Sequence, residues 1–426
     1  MHMGGIAAGI AGGVVAGGLR QMAQGRRPDL HGLVLTPANA RQLAEGLSHM
    51  RGAALKLGQM LSMDTGTVLP PELTAILARL RDDARPMPPK QLQRVLEAEW
   101  GRGWRTRFRQ FDVRPFAAAS IGQVHRAELP DGQVLAIKVQ YPGVRASIDS
   151  DVDNIATLLR LPGLLPRGLD LAPLLTAAKA QLHDEADYTA EAAHLRRFGA
   201  WLAGDDAFVL PAVHDALCTG QVLAMTHVPS APIEALEQAP QDLRDRAATR
   251  LIDLVLRELF DLGAMQTDPN LANYRVRPDT GRLVLLDFGA VRAIDPDTAA
   301  AFRALLDAGL AGDRDRTAQA MLRIGYFGAA TAPAHRDLIL RMFDTAMAPF
   351  RQPQPFDFAQ SDLPDRLRAM GLAIGTDRDL LHVPPADTLF LHRKIGGMYL
   401  LAARLRARVD LAALVGRHRG NAAPAH

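Results

Sequence analysis

The chain has 426 residues, 48% hydrophobic and 22% charged, a balance that supports one large or two modest folded domains and excludes wholesale disorder. Its 49 basic and 46 acidic residues leave a net charge of +3, with no basic tract interleaved with aromatics, so nucleic acid is not an expected partner. A single cysteine, Cys218, excludes an intramolecular disulfide and a cysteine cage for a metal, and fits a reducing compartment.

Residues Met3–Leu19 carry no charge and are mostly Gly, Ala, Val and Ile, with Arg20, Arg26 and Arg27 following. Those 17 residues barely reach across a hydrocarbon core, but glycines at 5, 9, 13 and 17 have the small-xxx-small spacing of closely packed membrane helices. The stretch has no basic n-region and no clear cleavage site, which makes a secretory signal a poor reading. Residues 1–35 are read as a membrane-contacting segment, with a flexible or buried Gly/Ala helix as the alternative. No other segment is long and apolar enough to span.

Residues 36–110 read as a helical extension. Thr36–Pro37 supplies a cap and first-turn proline for a helix over 39–63, with Leu43, Leu47, Met50, Ala54, Leu57 and Leu61 at helical spacing. Pro70–Pro71 restarts a second helix, which ends before Arg85–Pro86–Met87–Pro88–Pro89, and Lys90–Trp100 is a third. From Phe116 the pattern turns to strands: Val124–Leu129 and Val134–Gln140 flank Pro130–Asp131–Gly132, a hairpin turn. Helices are predicted over 149–161 and 171–201, then a strand over Gln221–His227 and a proline-bounded link, Pro229–Pro232. Helices dominate afterwards, interrupted by the apolar run Leu283–Leu286, and a last helix runs from Thr388 to Leu414 with Leu391, Ile395, Met398, Leu401 and Leu405 on one stripe. The implied organisation has a strand-rich lobe over 111–228, including inserted helices, and a helical lobe over 229–426.

Five positions along this framework have the chemistry that a bound triphosphate needs. Lys138, in the run VLAIKV, offers a cation for phosphates, and Glu191 on the following long helix offers an acid to orient it. Asp268 and Asn273 stand in TDPNLAN with a D-x-x-x-x-N spacing, and Asp287–Phe288–Gly289 follows a strand-like run. Asp and Asn side chains suit Mg²⁺. Each piece alone has a bland alternative: a solvated strand lysine, the wet face of a helix, a chance Asp-Phe-Gly. Their order along one chain makes coincidence a poor explanation.

One hairpin before Lys138, Ala117–Ala118–Ala119–Ser120–Ile121–Gly122 occupies the place of a Gly-rich phosphate loop, with alanines for its first glycines, so the loop should be stiffer. Gln266–Thr267 replaces the His-Arg that precedes the Asp of a protein-kinase catalytic loop, and no Ala-Pro-Glu run closes an activation loop. Lys56 and Gln59 lie one turn apart on one helix face. On a continuous helix Glu185 would lie about 120° from Glu191, so the two acids should meet different partners, whereas Asp187 and Glu191 share a face.

With KLGQ at 56–59, AAASIGQ at 117–123, EADY at 185–188 and QTDPNLAN at 266–273, the chain resembles the UbiB family, the AarF-domain-containing atypical kinases that support ubiquinone biosynthesis. The resemblance runs from about Thr36 to the end. It implies an α+β, protein-kinase-like bilobal fold whose helical N-terminal extension covers the nucleotide cleft. It further implies that Lys56 and Gln59 lie over the nucleotide, that Glu185 and Asp187 hold the extension with Glu185 pairing Lys56, and that Ala117, Ala118, Ala119, Ser120 and Gly122 line the phosphates. Lys138 and Glu191 would form the orienting pair, Asp287 and Asn273 would hold Mg²⁺, and Asp268 would act as acid/base. The TDPN loop and the Gly/Ala N-terminus resemble the branch with mitochondrial members. With no long presequence ahead of it, a bacterial cytoplasmic protein, peripheral on the inner membrane, is expected.

The activity implied is Mg-ATP hydrolysis or small-molecule phosphoryl transfer at a membrane surface, with ATP and Mg²⁺ as cofactors. Membrane lipids, ubiquinone precursors and ubiquinone-biosynthesis proteins are the partners in view, and a homodimer is left open. The rivals are a pseudokinase scaffold switched by ATP occupancy and a small-molecule kinase with an acidic acceptor pocket in the C-terminal lobe.

Overall fold

The computed structural model describes residues 12, 21–22, 39, 50, 52–54, 56, 86–160, 172–328, 331–375 and 385–419. Most of the Gly/Ala segment, the helix restarting at Pro70–Pro71, and Gln59 lie outside them. The chain divides into two compact units, Met1–Arg196 with Ala212–His227, and Arg197–Pro211 with Val228–His426.

The first unit begins, where it is continuously described, with α1 (Pro89–Trp100), which buries Leu92, Val95, Leu96 and Trp100 on one stripe. Strands β1 (Gln110–Phe111), β2 (Ala117–Ala118), β3 (Gly122–Glu128) and β4 (Val134–Gln140) follow. Gly132, at φ +87°, makes the β3–β4 turn that Pro130–Asp131–Gly132 predicts. Helices α2 (Val144–Leu159), α3 (Ala172–Glu185) and α4 (Tyr188–Trp201) come next; the chain passes through β5 (Phe208–Val209) of the second unit and returns for β6 (Val222–Thr226). The sheet is antiparallel, in the order β1-β3-β4-β6, with β2 on β3.

Alternation along β4 decides which way Lys138 points. Leu135, Ile137 and Val139, each 0% exposed, join a core with Leu96, Trp100, Trp104, Phe108, Val222 and Ala224. The aromatic rings of that core meet one another at 5.4–6.2 Å, and Trp100 Nε1 donates to the Leu217 carbonyl at 2.9 Å. Burying each such side chain contributes about 1.5–3 kcal/mol, which fixes the register of β4 and sends Lys138 to the opposite face.

Two sequence expectations change here. Helix α2 starts at Val144 rather than 149, because Gly143, at φ +77°, turns the chain and its carbonyl accepts from the Ala146 and Ser147 N–H groups. The helix expected over 171–201 is two helices. It breaks at Ala186–Asp187, where Asp187 Oδ1 accepts from the N–H groups of Thr189 (3.1 Å) and Ala190 (3.0 Å) and so caps α4. A carboxylate at a helix start competes with continuation of the preceding helix, a capping signal that the apolar periodicity conceals.

The second unit contains β7 (Ala231–Pro232), α5 (Gln241–Arg257), a π-helical turn over Glu258–Leu262, and β8 (Ala264–Gln266). Strands β9 (Tyr274–Val276), β10 (Leu283–Leu285) and β11 (Val291–Ala293) follow. One sheet has the order β5-β10-β9-β7; β8 and β11 form a separate antiparallel pair. Then come α6 (Pro296–Ala311), α7 (Arg314–Ile324), α8 (Pro333–Met347), β12 (Phe356–Asp357), α9 (Leu363–Gly375), α10 (Ala386–Arg404), β13 (Arg408–Val409) and α11 (Leu411–Gly416). The helix expected over Thr388–Leu414 therefore stops at Arg404, where Arg406 takes φ +50° and β13 pairs with β12. Leu391, Met398, Leu401 and Leu405 of its stripe are buried, but Ile395 is 50% exposed.

Candidate functional site

In the first unit, Lys138 Nζ donates to both Glu191 oxygens at 2.9 Å, with Lys138 7% and Glu191 1% exposed. The Tyr188 ring lies 5.0 Å from the ammonium. The pair is thus held by two charge-assisted hydrogen bonds and an aromatic wall, the arrangement a buried charge requires.

Glu185, at the end of α3, faces a different lysine. It pairs with Lys56, which is 2% exposed, and accepts from Ser120 Oγ at 2.6 Å. One carboxylate therefore joins the helical extension to the alanine loop. Gly52 gives a second join, because a Cβ there would stand 2.9 Å from the Ser120 carbonyl oxygen and 3.3 Å from Ile121 Cγ2. Gly52 was not singled out from the sequence; its place one helical turn before Lys56 was the available signal.

Ala117 and Ala118 pair with Val124 and Gln123 as β2, and Ala119 N–H donates to the Gly122 carbonyl at 2.9 Å. Gly122 admits no side chain: a Cβ would lie 2.3 Å from the Val139 carbonyl oxygen. Asp187 caps α4, as described, and its Oδ2 lies 3.9 Å from Arg145.

The second unit brings together the acidic set. Asn273 Nδ2 donates to Asp268 Oδ2 at 3.1 Å and to the Asp268 carbonyl at 3.3 Å. The β9–β10 register places Tyr274 opposite Leu285, and Leu286 N–H donates to the Asn273 carbonyl at 3.2 Å, so Asn273 stands beside the residue that precedes Asp287. Asp287 Oδ1 accepts from Gly289 N–H at 3.0 Å, and Phe288, 2% exposed, packs on Phe198 at 4.8 Å. Asp268, Asn273 and Asp287 themselves are only half-buried. Asp and Asn oxygens that keep some exposure are the hard donors that Mg²⁺ takes.

Beneath this loop lies a network that sequence reading missed. Lys394 of α10, 1% exposed, donates to Gln266 Oε1 and to the Tyr274 hydroxyl at 2.9 Å each, and lies 3.5 Å from Glu258 Oε2. Burial pushes the Glu258 carboxyl up to about 7 despite Lys394. Burial works against the Lys394 ammonium, yet Glu258 and Tyr274 hold it above its usual value. Apolar periodicity does not reveal a buried lysine, and no motif in the sequence marks Lys394.

A family model described as the ABC1 atypical kinase-like domain matches residues 79–321. The atypical kinase COQ8 of Saccharomyces cerevisiae, a mitochondrial protein, is 38% identical over 416 residues, covering 97% of this chain and 82% of the relative. The mitochondrial atypical kinase COQ8B of Rattus norvegicus is 38% identical over 375 residues, covering 88% and 71%. The solved structure of Rv3197 with erythromycin, from Mycobacterium tuberculosis, is 26% identical with a TM-score of 0.60, covering 88% of this chain and 94% of that one. With an antiparallel sheet bearing the Lys138–Glu191 pair and a helix-rich unit bearing Asp268, Asn273 and Asp287, the chain has the α+β kinase-like fold and belongs to the ABC1 atypical kinase-like family, the family of the COQ8 and UbiB proteins.

Proposed function

We propose that the protein binds Mg-ATP and hydrolyses it, or passes its phosphoryl group to a small molecule, at a membrane surface in support of ubiquinone synthesis. The observation that carries this reading is the junction of Lys56, Glu185 and Ser120, which ties the helical extension to the loop preceding Lys138. A protein substrate needs open access to that loop, whereas water or a small acceptor does not.

In this reading Lys138, oriented by Glu191, binds phosphate oxygens, and the alanine loop lies over them. Asp287 and Asn273 hold Mg²⁺, which would neutralise charge developing on the phosphates. Asp268 accepts the proton of the attacking water or hydroxyl, and the Asn273 amide keeps its carboxylate in one orientation. Gln59 as part of the covering extension, Asp187 as a residue that holds it, and the N-terminal Gly/Ala segment as the membrane contact complete the proposal. Among the described residues no helix is long and apolar enough to cross a membrane.

The test is phosphate release from Mg-ATP by the full chain, with and without anionic-lipid vesicles and a ubiquinone-precursor mimic, with Asp287→Asn as control. Turnover that rises with lipid and is lost in the variant supports the reading. Nucleotide binding with no release under any condition overturns it in favour of an ATP-switched scaffold.

A further inference from the structure

A lysine with 1% exposure needs a reason, because an ammonium is costly to take out of water and an apolar side chain could fill the same space. The partners of Lys394 supply one. Gln266 stands two residues before Asp268, and Tyr274 directly follows Asn273, so one ammonium binds both flanks of the 266–273 loop. Gln266 relays the contact inward, its Nε2 donating to the Asp268 carbonyl at 2.9 Å. The Asn273 amide donates to that same carbonyl and to the Asp268 carboxylate. One turn along α10, a Cβ at Gly397 would lie 2.2 Å from Pro269 Cβ, so the helix backbone bears directly on the loop's proline.

Glu258 completes the arrangement from the π-helical turn that ends α5, where its Oε2 lies 3.5 Å from the Lys394 ammonium. The π turn advances the chain differently from an α turn, which can aim such a side chain off the regular helical face.

We propose that Lys394 is a positioning residue that clamps both flanks of the 266–273 loop and thereby sets where the Asp268 carboxylate and the Asn273 amide stand. The proposal rests on the roles given to Asp268 and Asn273 above. It does not require Lys394 to touch a nucleotide. Helix α10 is on this account part of the machinery of the loop, in addition to burying its apolar residues.

The test compares the full-length protein with Lys394→Met and with the double variant Lys394→Met/Glu258→Gln, which removes both buried charges together. Three quantities are read: the thermal midpoint, hydrogen exchange of the amides between 267 and 273, and ATP turnover beside nucleotide affinity. In the double variant the thermal midpoint returns toward wild type, while the loop amides exchange about tenfold faster. Turnover falls about 100-fold with nucleotide binding retained, as a small misplacement of reacting groups produces. Loop exchange equal to wild type in the double variant overturns the proposal, and so does a loosened loop with undiminished turnover. If wild type itself releases no phosphate while loop exchange still rises, the clamp stands and the proposed chemistry fails.

Discussion

Glu185 and Glu191, six residues apart, each hold a different buried lysine. Glu185 pairs with Lys56 of the extension, and Glu191 takes both hydrogen bonds from Lys138 of β4. The break at Ala186–Asp187 separates them onto two helices. A continuous helix would have reached a similar divergence by its pitch, but the Asp187 cap is what the chain uses.

Removing Glu185 should hurt more than removing Lys56. Glu185→Ala takes a carboxylate from a buried ammonium and deprives Ser120 of its acceptor, and breaking a buried pair from one side costs about 3–5 kcal/mol. Lys56→Met leaves Glu185 with Ser120 and smaller losses. Urea denaturation checks the order, and equal midpoints would contradict it. Both variants, and Ala119→Gly, should alter nucleotide affinity and permit autophosphorylation, read by incorporation of labelled phosphate.

Glu191→Gln tests the orienting pair. The amide can accept one hydrogen bond from Lys138 but brings no charge, so the ammonium loses its fixed orientation in a site 1% exposed at Glu191. Turnover should fall by about 100-fold, with a smaller change in nucleotide affinity, since orientation matters most as charge develops. Steady-state kinetics beside equilibrium binding separates the two. Affinity falling as far as turnover would place Lys138 in simple binding instead.

Gly122→Ala should destabilise the first unit by about 1–3 kcal/mol or more, because its methyl group would stand 2.3 Å from the Val139 carbonyl oxygen, a backbone atom that cannot swing aside. Gly132→Ala gives a contrasting control: nothing lies within 4 Å, and only its φ of +87° opposes the change. Chemical denaturation of the pair should show the larger loss at Gly122.

The second unit should carry a pH-dependent contribution from Glu258. Its carboxyl is raised from the ordinary 4.5 to about 7, chiefly by burial, so the native state holds a proton that the unfolded chain has released. That contribution is complete below about 4.5 and is lost as pH rises through about 7. Glu258→Gln mimics the protonated form at every pH. Its thermal midpoint relative to wild type should therefore improve from pH 5 to pH 8, and a difference constant across that range would count against the shifted carboxyl.

Short-range signals were legible where physics is local. Val134–Gln140 forms β4 with the expected bounds, since alternating apolar residues and a Pro-Asp-Gly turn need only their neighbours to act. Leu283–Leu285 forms β10 before Asp287 for the same reason. Apolar periodicity predicts helices over 171–201 and up to Leu414 that are longer than those formed, because it continues through a cap and a left-handed residue that interrupt the backbone.

The amino-acid sequence by itself determined the family, the order of the charged groups and the hairpin that carries Lys138, because motif spacing and turn chemistry act over a few residues. The family resemblance implied which lysine each glutamate holds, but only the tertiary structure shows those pairs formed, why position 122 admits only glycine, and that Lys394 lies beneath the Asp268 loop. Those outcomes depend on groups up to 129 positions apart, Lys56 and Glu185 in one unit, Gln266 and Lys394 in the other, the latter pair 128 apart. A charge finds such a partner only when packing has already removed it from water.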